Sequence, residues 1–285
     1  MIWVAGRIVR DEELSISVLD RSFEHGLGLF ETLRTWNGKA VLLSKHLDRL
    51  RDSALVLGLP LDPTALPNQD AVEALLRAER ADGDVVLRIT MSGGLSPRGA
   101  GLIWMRTLPL PPPARHEGAV VTIGEWSVLR GDRLARHKVL NYWGRRSAHE
   151  SARELGFDEA ISIAPDGTLW EGSRTNLFLL AGDTVITPTK SGPIVPGIMR
   201  DLLLVLARDL PLTVRQDDTV TPDILFEADE VFLTNSVRGI IPVSSAHYFG
   251  AWPATPRRWP APGPWTQRLS LLLADRLDSQ GGKPA

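Results

Sequence analysis

A run of prolines, Leu108-Pro109-Leu110-Pro111-Pro112-Pro113-Ala114-Arg115, constrains this chain more firmly than any other feature. Consecutive prolines fix φ and remove backbone donors, so the stretch suits an extended connection and neither a helix nor a central strand. A domain boundary is therefore expected there. Residues 1–108 form a small N-terminal domain, 109–117 a linker and 118–285 a larger C-terminal domain.

Both halves mix strands and helices. In the first, Ile2 to Val4 and Arg7 to Val9 flank Ala5-Gly6 as a hairpin, and Phe30 to Trp36 is a strand running into a tight Asn37-Gly38 turn. A helix is expected from Ser44 as its N-cap, with Leu47, Leu50, Ala54 and Leu57 on one face. Val85 to Met91 is a further strand, ending in Ser92-Gly93-Gly94. In the second half, Val120 to Ile123 is a strand and Asn141 to Leu155 a helix stopped by Gly156. Glu159 to Ile163, Asp166-Gly167 and Thr175 to Leu180 follow as strand, turn and strand. Pro196-Gly197 introduces another helix, and Val231 to Thr234 is a strand entering Asn235-Ser236. The regular alternation of a parallel barrel is missing, so the expected class is α+β.

Composition excludes several functions. The chain of 285 residues has no cysteine, which removes disulfides, iron–sulfur clusters, thiolate zinc sites and cysteine nucleophiles, and fits a reducing cytoplasm. With 32 basic and 34 acidic residues it lacks the basic excess of a general nucleic-acid binder. Its start, Met1-Ile2-Trp3-Val4-Ala5-Gly6, is unlike a signal peptide, and no uncharged apolar run approaches the ~20 residues of a membrane helix.

The hydrolytic signatures are missing as well: there is no Gly-x-Ser-x-Gly elbow and no His-Glu-x-x-His site. His46, His137 and His149 have no metal-ligand spacing, and they read as surface or hydrogen-bonded residues; no metal is expected. Gly26-Leu27-Gly28-Leu29-Phe30-Glu31 lacks the third glycine of a dinucleotide loop and precedes a strand, which excludes a Rossmann site.

What remains is an ordered set of segments: Asp20 to Thr32, His46-Leu47-Asp48-Arg49-Leu50, His137-Lys138-Val139-Leu140-Asn141-Tyr142, Glu171-Gly172-Ser173-Arg174-Thr175-Asn176-Leu177-Phe178, Pro196-Gly197-Ile198-Met199-Arg200 and Thr234 to Val243. Singly each is weak. Together they resemble the fold-type IV pyridoxal-phosphate enzymes, which include branched-chain and D-amino-acid aminotransferases and 4-amino-4-deoxychorismate lyases. The resemblance runs from Ile2 to a helix at Thr266–Leu277. It implies a two-domain α+β fold, pyridoxal 5'-phosphate as cofactor and a homodimer.

The resemblance also implies roles. Lys138 would be the Schiff-base lysine, in place of the surface lysine that its neighbours alone suggest. Glu171 would pair with the pyridine nitrogen, where a hairpin glutamate would otherwise be solvated. Arg49 would clamp the phosphate, helped by the amides of Ile198 and Met199 at a helix start and by the Ser236 hydroxyl. Tyr142 would bond the ring oxygen, with core packing as its plainer role. Phe30, Arg98 and Val237 would face the substrate.

The chemistry within the family stays open between two reactions. Lys138-x-Leu-Asn141 has the spacing of the lyases and D-amino-acid enzymes, and Thr234 to Gly239 looks most like the lyase branch. Leu27 and His25 depart from the family's usual loop where substrate is expected, whereas Glu31 fits the aminotransferases at least as well. An aminotransferase acting on an amino donor and a 2-oxo acid leads, and a 4-amino-4-deoxychorismate lyase releasing pyruvate and 4-aminobenzoate follows. A cofactor-holding protein without turnover is a third reading, for which the nine tryptophans would supply a binding surface.

Overall fold

The computed structural model describes residues 1–113, 115–248 and 255–281. The chain divides into two compact units. Unit 1 comprises Met1–Pro111, the short return His137–Asn141 and the stretch from Arg276 onward; unit 2 comprises Pro112–Arg136 and Tyr142–Asp275.

Unit 1 holds β1 (Ile2–Val4), β2 (Arg7–Val9), α1 (Arg21–His25), β3 (Gly28–Trp36), β4 (Lys39–Ala40), α2 (Leu43–Val56), α3 (Gln69–Glu79), β5 (Val85–Ser92) and β6 (Ile103–Pro109). The strands form one antiparallel sheet in the order β2-β1-β6-β5-β3-β4. Two-residue turns close the β1–β2 and β3–β4 hairpins. Asn37 and Gly38, at φ 51° and 74°, take the left-handed conformation that matches the twist of β3 and β4. Leu33, Leu87, Ile89 and Met105 from the sheet bury against Leu47, Leu50 and Ala54 of α2 and Val72 and Leu75 of α3. Each fully buried leucine contributes roughly 1.5–3 kcal/mol through removal of apolar surface from water.

The start of α2 differs from expectation. The helix begins at Leu43, with Leu42 as N-cap at φ 52° and no side-chain cap, so Ser44 lies in the first turn. Burial of Leu47 and Leu50 fixes the helix, and the cap residue follows from the chain's path out of β4. Helix α3, capped by the Asn68 side chain on the Ala71 amide, has no counterpart among the sequence expectations.

Unit 2 holds β7 (Ala119–Ser127), α4 (Trp143–Glu154), β8 (Glu159–Ile163), β9 (Leu169–Gly172), β10 (Asn176–Ala181), β11 (Thr184–Pro188) and α5 (Ile198–Arg208). There follow β12 (Thr213–Asp217), α6 (Pro222–Glu227), β13 (Glu230–Asn235), β14 (Gly239–Tyr248), β15 (Arg257–Arg258) and α7 (Pro264–Gly281), of which the residues up to Asp275 belong to unit 2. The sheet order is β12-β11-β10-β13-β14-β7-β8-β9, with β15 on β14. An additional pairing of Asn176 with Glu171 joins β9 to β10, so β10, β13, β14, β7, β8 and β9 close into a ring. Val121, Ile123, Ile161, Leu177, Leu179, Val231, Leu233 and Val243 belong to its core. Closing the ring leaves the carboxylate of Glu171 at a strand end held from several sides.

Candidate active site

In unit 1 the lysine segment returns beside β3, which it meets at one antiparallel bridge. The Phe30 amide donates to the Lys138 carbonyl at 2.9 Å, and the Leu140 amide donates to the Gly28 carbonyl at 2.9 Å. Leu29 pairs with Val139 between them. One bond holds Lys138 at its carbonyl and the other holds Leu140 at its amide, which explains why His137–Asn141 associates with unit 1 although it follows the proline run by more than twenty residues. Its Nζ lies 4.5 Å from the centroid of the buried Phe30 ring, and the Arg88 guanidinium carbon lies 4.0 Å from the same ring. His137 is tied through Nδ1 to Ser53 Oγ at 2.9 Å.

Arg49 projects from α2 to Glu31 on β3. Its Nε and a terminal nitrogen donate to the two carboxylate oxygens at 2.8 and 2.6 Å, and His46 Nδ1 lies 2.7 Å from Glu31 Oε2. Burial alone would raise the Glu31 pKa. The Arg49 charge and the hydrogen bonds from His46 and Arg49 overcome it and bring the carboxyl down to about 2. The His46 pKa is lowered as well, chiefly by burial, against the opposing pull of Glu31. Arg98 stands exposed in the turn after Ser96.

In unit 2 Glu171 is 2% exposed. Arg145, from the first turn of α4, donates to its Oε1, the Val195 amide reaches both oxygens at 3.1 Å, and Asn176 Nδ2 reaches Oε2 at 3.3 Å. The Tyr142 hydroxyl donates to the Ser173 carbonyl at 3.1 Å. Helix α5 starts at Ile198 after Gly197, with no side-chain cap, so its first amides point out of the helix unclaimed by a capping residue. Gly197 packs tightly there: an added Cβ would fall 1.9 Å from Asn176 Oδ1. Ser236 and Val237 lie in the turn joining β13 to β14, where Asn235 Oδ1 accepts from the Val237 and Arg238 amides at 3.0 and 2.8 Å.

Sequence reasoning missed Arg145, the role of Glu31 and the burial of His46. Glu31 sits inside an alternating apolar strand, a position where a carboxylate demands a cation, and His46 and Arg49 are spaced to share one face of α2. That signal was available. For Arg145 none was, because an arginine in the first turn of a helix reads as solvated. Among the described residues, no group of three or more His, Asp or Glu could hold a metal ion.

Residues 28–246 match the family model described as Amino-transferase class IV. The chain belongs to the class IV aminotransferases, a family of pyridoxal-phosphate-dependent enzymes. It is similar to the D-alanine aminotransferase of Bacillus licheniformis, with 29% identity over 291 residues that span 98% of this chain and 97% of the relative. It is 29% identical over 256 residues to the aminodeoxychorismate lyase of Bacillus subtilis, covering 85% of each chain. The crystal structure of a branched-chain aminotransferase from Thermoproteus uzoniensis with norvaline superimposes with a TM-score of 0.83 at 27% identity, over 97% of this chain and 94% of that one.

Proposed function

We propose that this protein transfers an amino group between an amino acid and a 2-oxo acid, with pyridoxal 5'-phosphate held by Lys138. The observation that carries the reading is the buried Glu171 carboxylate, fixed by Arg145, Asn176 and the Val195 amide. Arg145 supplies its counter-charge, and a buried carboxylate held by this many donors at a strand end fits a place facing the cofactor's ring. The donor types fit the cofactor: an amine for its aldehyde, a guanidinium and uncapped helix amides for its phosphate, and an ionised carboxylate for its ring nitrogen.

When bound, the cofactor supplies an aldehyde that links to amines and a pyridinium ring that takes up electron density. Lys138 Nζ is the group that takes the proton from the substrate's Cα and returns it. Glu171 holds the proton on the ring nitrogen. Arg49, oriented by Glu31 and His46, and the amides of Ile198 and Met199 hold the phosphate, and Ser236 adds a hydroxyl. Phe30, Arg98 and Val237 are proposed to contact substrate. The Tyr142 hydroxyl, already donating to Ser173, would contact the cofactor's ring oxygen only as an acceptor or after turning.

A second reading, a lyase that releases pyruvate from 4-amino-4-deoxychorismate, is favoured by the likeness to the Bacillus subtilis lyase. The same proton removal serves both. A screen of amino donors and 2-oxo acids that includes 4-amino-4-deoxychorismate and reports pyruvate separates them: exchange of amino groups supports the first, pyruvate release without an acceptor the second.

We also propose a homodimer in the cytoplasm. Val18, Leu19, Phe23 and Leu95 around α1 are all exposed, an apolar set that a second copy would cover. Sedimentation should give a dimer, and a fully active monomer on dilution would contradict it. No helix of the described residues is long and apolar enough to cross a membrane.

A further inference from the structure

Arg145 occupies the first turn of α4, and its side chain leaves the helix for the interior, where it is 10% exposed. One terminal nitrogen is shared between Glu171 Oε1 and the Ala135 carbonyl, the latter at 3.0 Å. Aromatic rings flank the guanidinium: Trp126 at 5.0 Å and Tyr142 at 5.8 Å to their centroids. The charge is therefore fixed in place and poorly screened by water. Arginine keeps that charge at any pH the protein would meet.

We propose that Arg145 is a positioning residue for Glu171 that also tempers its charge, so that the ring nitrogen facing Glu171 holds its proton less tightly than beside an unpaired carboxylate. This rests on the proposed function, which gives Glu171 the ring nitrogen as partner. The geometry separates two contributions. Val195 and Asn176 bond the carboxylate as neutral donors and fix its direction. Arg145 bonds it as a cation, and a full charge within ~4–6 Å shifts a neighbouring proton equilibrium by ~1–3 pH units. The carboxylate favours the ring proton and the guanidinium opposes it, so the net pull is that of a partly neutralised pair. A ring set this way stays a moderate electron acceptor, with its protonation open to change by whatever moves Arg145.

The test is a pH titration of the holoenzyme loaded with cofactor labelled with 15N at the ring nitrogen, followed by NMR. Arg145→Met should raise the midpoint of the ring-nitrogen titration by about one unit or more, about tenfold in proton affinity. Arg145→Lys, which keeps the charge, should stay near wild type. Glu171→Gln should lower the midpoint, and adding Arg145→Met to it should then have less effect than in the parent. Should Arg145→Met not fold, Arg145→Gln must give the same rise. A midpoint that Glu171→Gln moves but Arg145→Met or Arg145→Gln leaves within about twofold of wild-type affinity overturns the inference and leaves the function standing. A midpoint that Glu171→Gln does not move overturns the placing of Glu171 against the ring, and the inference with it.

Discussion

Arg49 grips Glu31 through a two-bond fork, Nε to Oε1 at 2.8 Å and a terminal nitrogen to Oε2 at 2.6 Å. Glu31 is 1% exposed and Arg49 12%, and at such a buried position a lone carboxylate would be strongly destabilising. The fork makes stability depend on acid. Glu31 falls from 4.5 to about 2 on folding. Its folded-state pKa is depressed, so the stability it brings is present above pH 4.5 and is lost as pH falls through that range toward 2. At 1.36 kcal/mol per unit the contribution is about 3 kcal/mol. Glu31→Gln should be less stable at neutral pH and should lack most of the wild-type loss between pH 4.5 and about 2, as followed by urea unfolding at each pH.

The same fork orients Arg49 for an anion. Arg49→Ala should weaken cofactor retention by about one to two decades, since a hydrogen bond to a charged group is worth roughly 1.5–3 kcal/mol. Arg51→Ala is the control: Arg51 pairs at 3.0 Å with Asp48, both well exposed, and such pairs contribute little. Arg49→Lys keeps charge without the fork and should fall between the two. Equal retention in all three variants, measured by dialysis against apoenzyme, would remove Arg49 from the phosphate.

Borohydride reduction of the loaded protein should fix the cofactor on Lys138 alone of its five lysines. The Lys138 segment is held against β3 by backbone bonds, and its Nζ lies 4.5 Å from the centre of the Phe30 ring. Lys190, by contrast, is exposed and paired with Asp201 at 2.9 Å. Peptide mapping that placed the adduct on Lys39, Lys45 or Lys190 would overturn the central assignment.

Local chemistry made much of this fold legible. Asn37-Gly38 favours a left-handed turn, which the structure shows at φ 51° and 74°, and the hairpin expected at Ala5-Gly6 is present, with φ 44° and 83°. The class IV membership followed from ordered segments, and Pro196-Gly197 does lead into α5. The cap at Ser44 failed because the chain's exit from β4 set the helix start, overriding residue preference. The return of His137–Asn141 to β3 was not legible, since pairing between segments a hundred residues apart leaves no periodic trace. Arg145 was hidden for a related reason. Only the proximity of α4 to β9 turns a helix-surface arginine into the partner of Glu171.

Glu171→Gln tests chemistry and stability at once, and the two can be separated. Glu171 is buried and paired with Arg145, so the substitution leaves a guanidinium without its counter-charge. Breaking a buried pair on one side costs roughly 3–5 kcal/mol, whereas replacing both partners is often close to neutral. Cofactor-free Glu171→Gln should therefore unfold at a lower urea concentration, and adding Arg145→Met should recover part of the loss. Catalysis should behave otherwise. With the carboxylate gone, nothing holds the proton on the ring nitrogen, and removal of the substrate's Cα proton slows in either background. The single-turnover rate at matched cofactor occupancy is thus expected to fall in Glu171→Gln and to stay low in the double variant. If stability and rate recovered together, Glu171 would be a structural partner of Arg145 and no more. If the rate fell in both while stability recovered, the carboxylate would be acting on the ring.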